Sequence, residues 1–102
     1  MTESERNLKG QELEKAGDIE QAILLYEKNV DLGSIAPFAY NRLSLIYAKK
    51  KDYDNVIRIL RLFLSIKELE AKKFGWKPGS RQFDKIDEIR VKLTKSMEKK
   101  QG

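Results

Sequence analysis

The sequence predicts an all-α fold in which two antiparallel helix–turn–helix repeats stack as a short α-solenoid and a C-terminal helix closes the stack. Three observations carry that expectation. Apolar residues recur at three- and four-residue spacing, as in Ile19, Ala22, Ile23, Tyr26 and Val30, and no segment alternates with the period of two that a strand requires. Two segments match at an offset of 34 residues: Leu13 with Tyr47, Gly17-Asp18-Ile19 with Lys51-Asp52-Tyr53, Ile23 with Ile57, Tyr26 with Leu60, Val30 with Leu64, and Leu32 with Ile66. After the second segment, a third copy would put Pro78 and Gly79 inside a helix, where proline alone costs about 3 kcal/mol. The repeat therefore stops there.

The first helix is expected over Glu3–Lys15, followed by a turn at Ala16-Gly17-Asp18 in which Gly17 can take the left-handed conformation. The second is expected over Ile19–Asp31. The third, Pro37–Lys49, begins on a proline whose missing N–H is not needed in a first helical turn. The fourth, Tyr53–Lys72, carries the stripe Tyr53, Val56, Ile57, Leu60, Phe63 and Leu64 and is longer than a repeat needs. Gly75-Trp76-Lys77-Pro78-Gly79 reads as a loop, and Ser80 as the N-cap of a last helix over Arg81–Lys99. Its stripe is Phe83, Ile86, Ile89 or Arg90, Leu93 and Met97. Because a repeat cannot bury its outer face alone, this helix is expected to cover the end of the stack. The expected organisation is a single domain over 1–102, with repeats at 4–34 and 38–71, a loop at 75–80, a capping helix at 81–99 and a frayed tail at 100–102.

Gly10, Ala16-Gly17-Asp18, and Ala22 with Tyr26 at the A-x3-aromatic spacing mark the first unit; Tyr40, Leu43, Ser44, Tyr47 and Lys51-Asp52 mark the second. In these residues the chain resembles the tetratricopeptide repeat family, whose unit is a 34-residue helical hairpin. Small residues at Gly10 and Ser44 suit a close helix approach, and bulky Tyr26 and Leu60 fill the space between neighbouring units. The sequence departs from the family at Arg6 and Lys9, which stand in place of tryptophan and leucine, at Asn29, in place of a small apolar residue, and at Ser34 and Glu68, in place of the closing proline. The first helix is accordingly expected to be weakly anchored.

The resemblance implies binding of a peptide or protein in a concave groove lined by the first helix of each repeat. Its groove positions fall on Ser4, Asn7, Gln11, Glu14 and Lys15, and on Phe38, Asn41, Leu45, Ala48 and Lys49, with Arg42 beside them. Asn7, Gln11, Phe38, Asn41, Arg42, Leu45 and Lys49 are the candidate partner contacts. Helical spacing alone puts Phe38, Asn41, Leu45 and Lys49 on one face, which either meets a ligand, faces solvent or is covered by the last helix. The family's carboxylate clamp is incomplete: its lysine and asparagine positions hold Asn7, Gln11 and Arg42, and the third unit that completes it is missing.

Composition narrows the function classes. There are no cysteines and no histidines, which removes disulfides, thiolate chemistry, the commonest general base and the commonest metal ligand. No apolar run approaches the roughly 20 residues of a membrane span and Met1–Gln11 is polar, so a cytoplasmic protein without membrane association is expected. Met1–Ala36 holds four basic and eight acidic residues, a net of −4, while Pro37–Gly102 holds 17 basic and eight acidic, a net of +9. Such asymmetry favours oriented partners or self-association.

No phosphate-binding glycine loop, zinc spacing or nucleophile with a base is visible, and no enzyme, cofactor or metal is expected. Asp84, Asp87 and Glu88 read as dipole-offsetting acids at a helix start rather than as a catalytic cluster. Trp76 reads as packing on the fourth helix, with an exposed partner anchor as the alternative. Lys49-Lys50-Lys51 reads as a solvated turn. The expected function is a non-catalytic adaptor for a protein or peptide. The alternative is a nucleic-acid-binding accessory protein using Arg81, Lys85, Lys92, Lys95, Lys99 and Lys100 of the last helix.

Overall fold

Five helices and no strand make up the computed structural model, which describes all residues from Met1 to Gly102: α1 (Glu3–Lys15), α2 (Ile19–Asp31), α3 (Pro37–Lys49), α4 (Tyr53–Phe74) and α5 (Arg81–Gln101). The all-α class and every helix start agree with the sequence reading. The differences lie at two C-termini. α4 runs past Lys72 because the residue able to stop it is Gly75, which sits in the left-handed region at φ 69° while its own N–H and that of Trp76 donate to the Ala71 carbonyl. α5 continues to Gln101, since nothing in Lys99-Lys100-Gln101 interrupts a helix.

The helices gather into two compact units, Met1–Leu43 and Ser44–Gly102, divided inside α3. The expected second repeat, 38–71, thus contributes to both.

In the first unit α1 opens with a reciprocal cap. The Thr2 hydroxyl accepts from the Glu5 N–H at 3.1 Å and the Glu5 carboxylate accepts from the Thr2 N–H at 3.0 Å, which holds the Glu5 carboxyl below its usual range. Beyond that cap α1 has almost no apolar face: Gly10 is its one buried residue and Leu8 is 59% exposed. Its attachment to α2 is polar and steric instead. The Tyr26 ring lies so close over Gly10 that a Cβ there would fall 2.4 Å from a ring carbon. Asn29, only 1% exposed, donates to the Glu3 carbonyl at 3.2 Å and to Asn7 Oδ1 at 2.8 Å, and accepts from Arg6 Nε. The weak anchoring expected of α1 is therefore corrected: Arg6 and Asn29, two of the departures from the repeat pattern, are residues that clamp it. Ala22, Ile23, Val30, Ala39 and Leu43 supply the apolar core of the unit, and the buried Tyr40 hydroxyl donates to the Ser34 carbonyl at 2.6 Å.

The second unit has a conventional core. Val56, Ile57, Ile59, Leu60 and Phe63 of α4 are buried, as are Ile46 and Tyr47 of α3. α5 returns antiparallel to α4, and Ile86 and Ile89 are its buried residues, so Ile89 rather than Arg90 belongs to the inward stripe. Arg90 instead pairs with Glu68 at 3.0 Å, and near the opposite end Lys100 pairs with Asp54 at 2.6 Å. The Ser80 hydroxyl caps α5 by accepting from the Phe83 N–H at 3.2 Å.

The two hairpin turns repeat one geometry 34 residues apart. Asp18 and Asp52 cap α2 and α4 with nearly equal backbone angles, φ −91° and −89°, each accepting at 3.3 Å from the N–H three residues on. Gly17 precedes the first at φ 84°; Lys51 precedes the second at φ 58°, a left-handed conformation that a lysine adopts at some strain.

Candidate functional site

In the first unit, α1 and the start of α3 frame an open depression of about 310 Å³ lined by Gln11, Glu14, Lys15, Phe38 and Arg42. Its centre is the Glu14 carboxylate. The Tyr26 hydroxyl donates to it at 2.6 Å, and Arg42 donates through Nε at 3.1 Å and through Nη2. Burial, then the bond to Glu14, pushes the Tyr26 hydroxyl well above its usual value; the same carboxylate raises the Arg42 guanidinium. Phe38 packs edge-on to the Tyr26 ring, 5.9 Å between centroids at 69°. Of the candidate contacts, Gln11, Phe38 and Arg42 therefore come together here, with Arg42 and Phe38 already engaged by their own chain. Asn7 is bonded to Asn29 and does not line the depression, and Asn41 is exposed on α3.

In the second unit, the last turns of α3 and the facing sides of α4 and α5 enclose a cleft of about 200 Å³. Leu45, Ala48, Val56 and Leu60 give it an aliphatic floor, with Ser44 and Ser96 at its side. Leu45 is 50% exposed, an unusual position for a leucine beside so much hydrocarbon. Lys92, Lys95 and Lys99 form the α5 wall, at spacings of three and four residues that put them on one helix face. None of the three makes an ion pair, whereas their neighbour Lys100 is held by Asp54. Ser96 donates to the Lys92 carbonyl at 2.9 Å. Lys49 is exposed and lies outside this lining.

No family model, curated protein or solved structure matches this chain. The assignment of the sites thus rests on their own geometry. Asp87 pairs with Arg90 at 3.0 Å, and no group of three carboxylates converges as a metal site would require. Trp76 is half-buried and lines a depression with Ala71, Phe83 and Ile86, and the aromatic that faces solvent is Phe74, stacked on Trp76 at 6.0 Å. Lys49, Lys50 and Lys51 are exposed at the α3–α4 turn. No helix is long and apolar enough to cross a membrane.

The sequence reading found Leu45 but set the α5 lysines in a separate, nucleic-acid hypothesis. Their spacing was visible; what it lacked was the antiparallel return of α5 that brings them over Leu45.

Proposed function

We propose that the chain is a non-catalytic, cytoplasmic interaction module of tetratricopeptide type that binds a segment of a partner protein. The observation that carries this reading is the second-unit cleft, in which a half-exposed Leu45 stands on an aliphatic floor. Its volume of about 200 Å³ falls below the roughly 300–1,000 Å³ of small-molecule sites, yet it accommodates one side chain presented by a longer chain. The Ser96 hydroxyl is bonded to a backbone carbonyl rather than aimed at a base, which favours binding over catalysis. The 34-residue offset and the matched Asp18 and Asp52 turns support the repeat type. Selection from a random peptide display library tests the reading: one class of sequence is enriched by the native protein and not by Leu45→Asp of unchanged helicity. Enrichment of nothing overturns it.

A second reading is favoured by the three unpaired lysines of α5, which suit phosphates as well as carboxylates. A nucleic-acid accessory protein binds single-stranded oligonucleotide at low salt, loses it steeply as salt rises, and loses it on Lys92→Glu with Lys95→Glu. Absence of binding at low salt removes that reading.

A further inference from the structure

The two hairpins differ at one equivalent position. Counting through the offset of 34, Ala48 stands where Glu14 stands and Leu60 where Tyr26 stands. In the first unit the Glu14 carboxylate is answered by Arg42, from the helix that follows the hairpin, and by the Tyr26 hydroxyl. In the second unit the helix that follows the hairpin is α5, and it presents Lys92, Lys95 and Lys99 to a cleft that holds no carboxylate. Two other cations of α5 are matched, Arg90 by Glu68 and Asp87 and Lys100 by Asp54, while Arg81 and Lys85 are exposed away from the cleft lining. The first unit has its anion built in, while the cleft of the second is lined by cations without a carboxylate; Asp84, Asp87 and Glu88 share a neighbouring depression with Lys92 and Lys95 but form no ion pair with them.

We infer that the second-unit cleft is completed by a carboxylate from outside: it takes an acidic peptide segment with an aliphatic side chain beside an aspartate or glutamate. The aliphatic group sits on Leu45, Ala48 and Leu60, and the carboxylate lies among Lys92, Lys95 and Lys99. The inference rests on the peptide-binding reading above and names the chemistry of the partner. Single exposed ion pairs contribute little, so discrimination comes from three cations on one face acting beside an apolar anchor that excludes water. The surrounding sequence agrees, since Pro37–Gly102 carries a net +9. A nucleic acid fits less well, because the floor is aliphatic and offers no aromatic face on which a base stacks.

The test uses the full chain and three fluorescent probes: a dodecapeptide with leucine flanked by aspartate and glutamate, its asparagine and glutamine counterpart, and a single-stranded oligonucleotide. The acidic peptide is expected to bind, and the amide counterpart at least about tenfold more weakly. Ala48→Glu places in the second unit the carboxylate that the first already owns. It is expected to bind the acidic peptide at least about tenfold more weakly than Ala48→Gln, which fills the same volume without the charge, and both keep the native circular dichroism. Equal binding of the two peptides, or equal affinities of the Glu and Gln variants, overturns the carboxylate inference. Display selection that still enriches peptides of another class then leaves peptide binding standing; enrichment of nothing removes both. Oligonucleotide binding lost in Lys95→Glu, with no binding of the acidic peptide, reassigns the cleft to nucleic acid. A salt-sensitive dimer abolished by Ala48→Glu, seen by light scattering, reassigns it to a second copy.

Discussion

In the first unit α1 is attached largely by polar groups that reach across to it, whereas the helices of the second unit are joined by hydrocarbon. α1 buries one glycine and is fixed by Asn29, Arg6 and Glu14, whereas α4 buries six residues and α5 adds Ile86 and Ile89. Where the second repeat has Tyr40, Leu43 and Phe63, all buried, the first has Arg6, Lys9 and Asn29. The same hairpin with the same turn is thus stabilised by two kinds of interaction. Polar clamps are sensitive to the loss of a single partner, since a buried donor or acceptor left unsatisfied costs about 1–3 kcal/mol. Apolar cores lose stability in proportion to the volume removed.

The comparison can be broken most severely in the second unit. Ile59 is fully buried, and Ile59→Ala is expected to cost about 2–5 kcal/mol, read as a lower urea midpoint. In the first unit Asn29→Ala is expected to cost about 1–3 kcal/mol, although it installs the small apolar residue that the repeat pattern prefers, because Arg6, Asn7 and the Glu3 carbonyl lose their partner. A neutral or stabilising Asn29→Ala shows instead that apolar packing holds α1. Gly10→Ala should cost a similar amount, about 1–3 kcal/mol, by pushing the Tyr26 ring away from α1.

pH offers a smaller perturbation with a defined sign. Folded Tyr26 keeps its proton above the ordinary tyrosine value of about 10, while the unfolded chain releases it there, so the folded state binds more protons and stability falls as pH rises beyond about 10. Tyr40 is raised in the same direction, by burial and then by Glu3. Tyr26→Phe therefore flattens the alkaline slope only in part, and an unchanged slope shows that Tyr26 does not carry it. The smallest effect is a gain: Lys51→Gly relieves a left-handed lysine and is expected to raise stability by up to about 1 kcal/mol, where Gly17→Lys lowers it.

Local features are legible in the sequence. Asp18, Asp52 and Ser80 announce helix starts because a cap bonds only a few residues away, and Pro37 opens α3 for the same local reason. The Thr2-x-x-Glu5 cap is equally local in origin. The attachment of α1 was different in kind: Arg6 meets Asn29 across 23 residues of sequence and Arg42 meets Glu14 across 28, and neither pairing follows from any period. The candidate site divides the same way. Spacing puts Leu45 on one face with Phe38, Asn41 and Lys49, but its setting beside Lys92, Lys95 and Lys99 depends on the return path of α5.

Asn29 also acts as an alignment key. It grips Glu3, Arg6 and Asn7, residues within about one turn of α1, and sliding α1 by a turn, about 5.4 Å, would break all three bonds at once. A seam of leucines would tolerate such a shift with little loss. The buried amide thus confers on a helix with little hydrophobic face a single axial position, and Glu14 is thereby kept where Arg42 and Tyr26 can reach it.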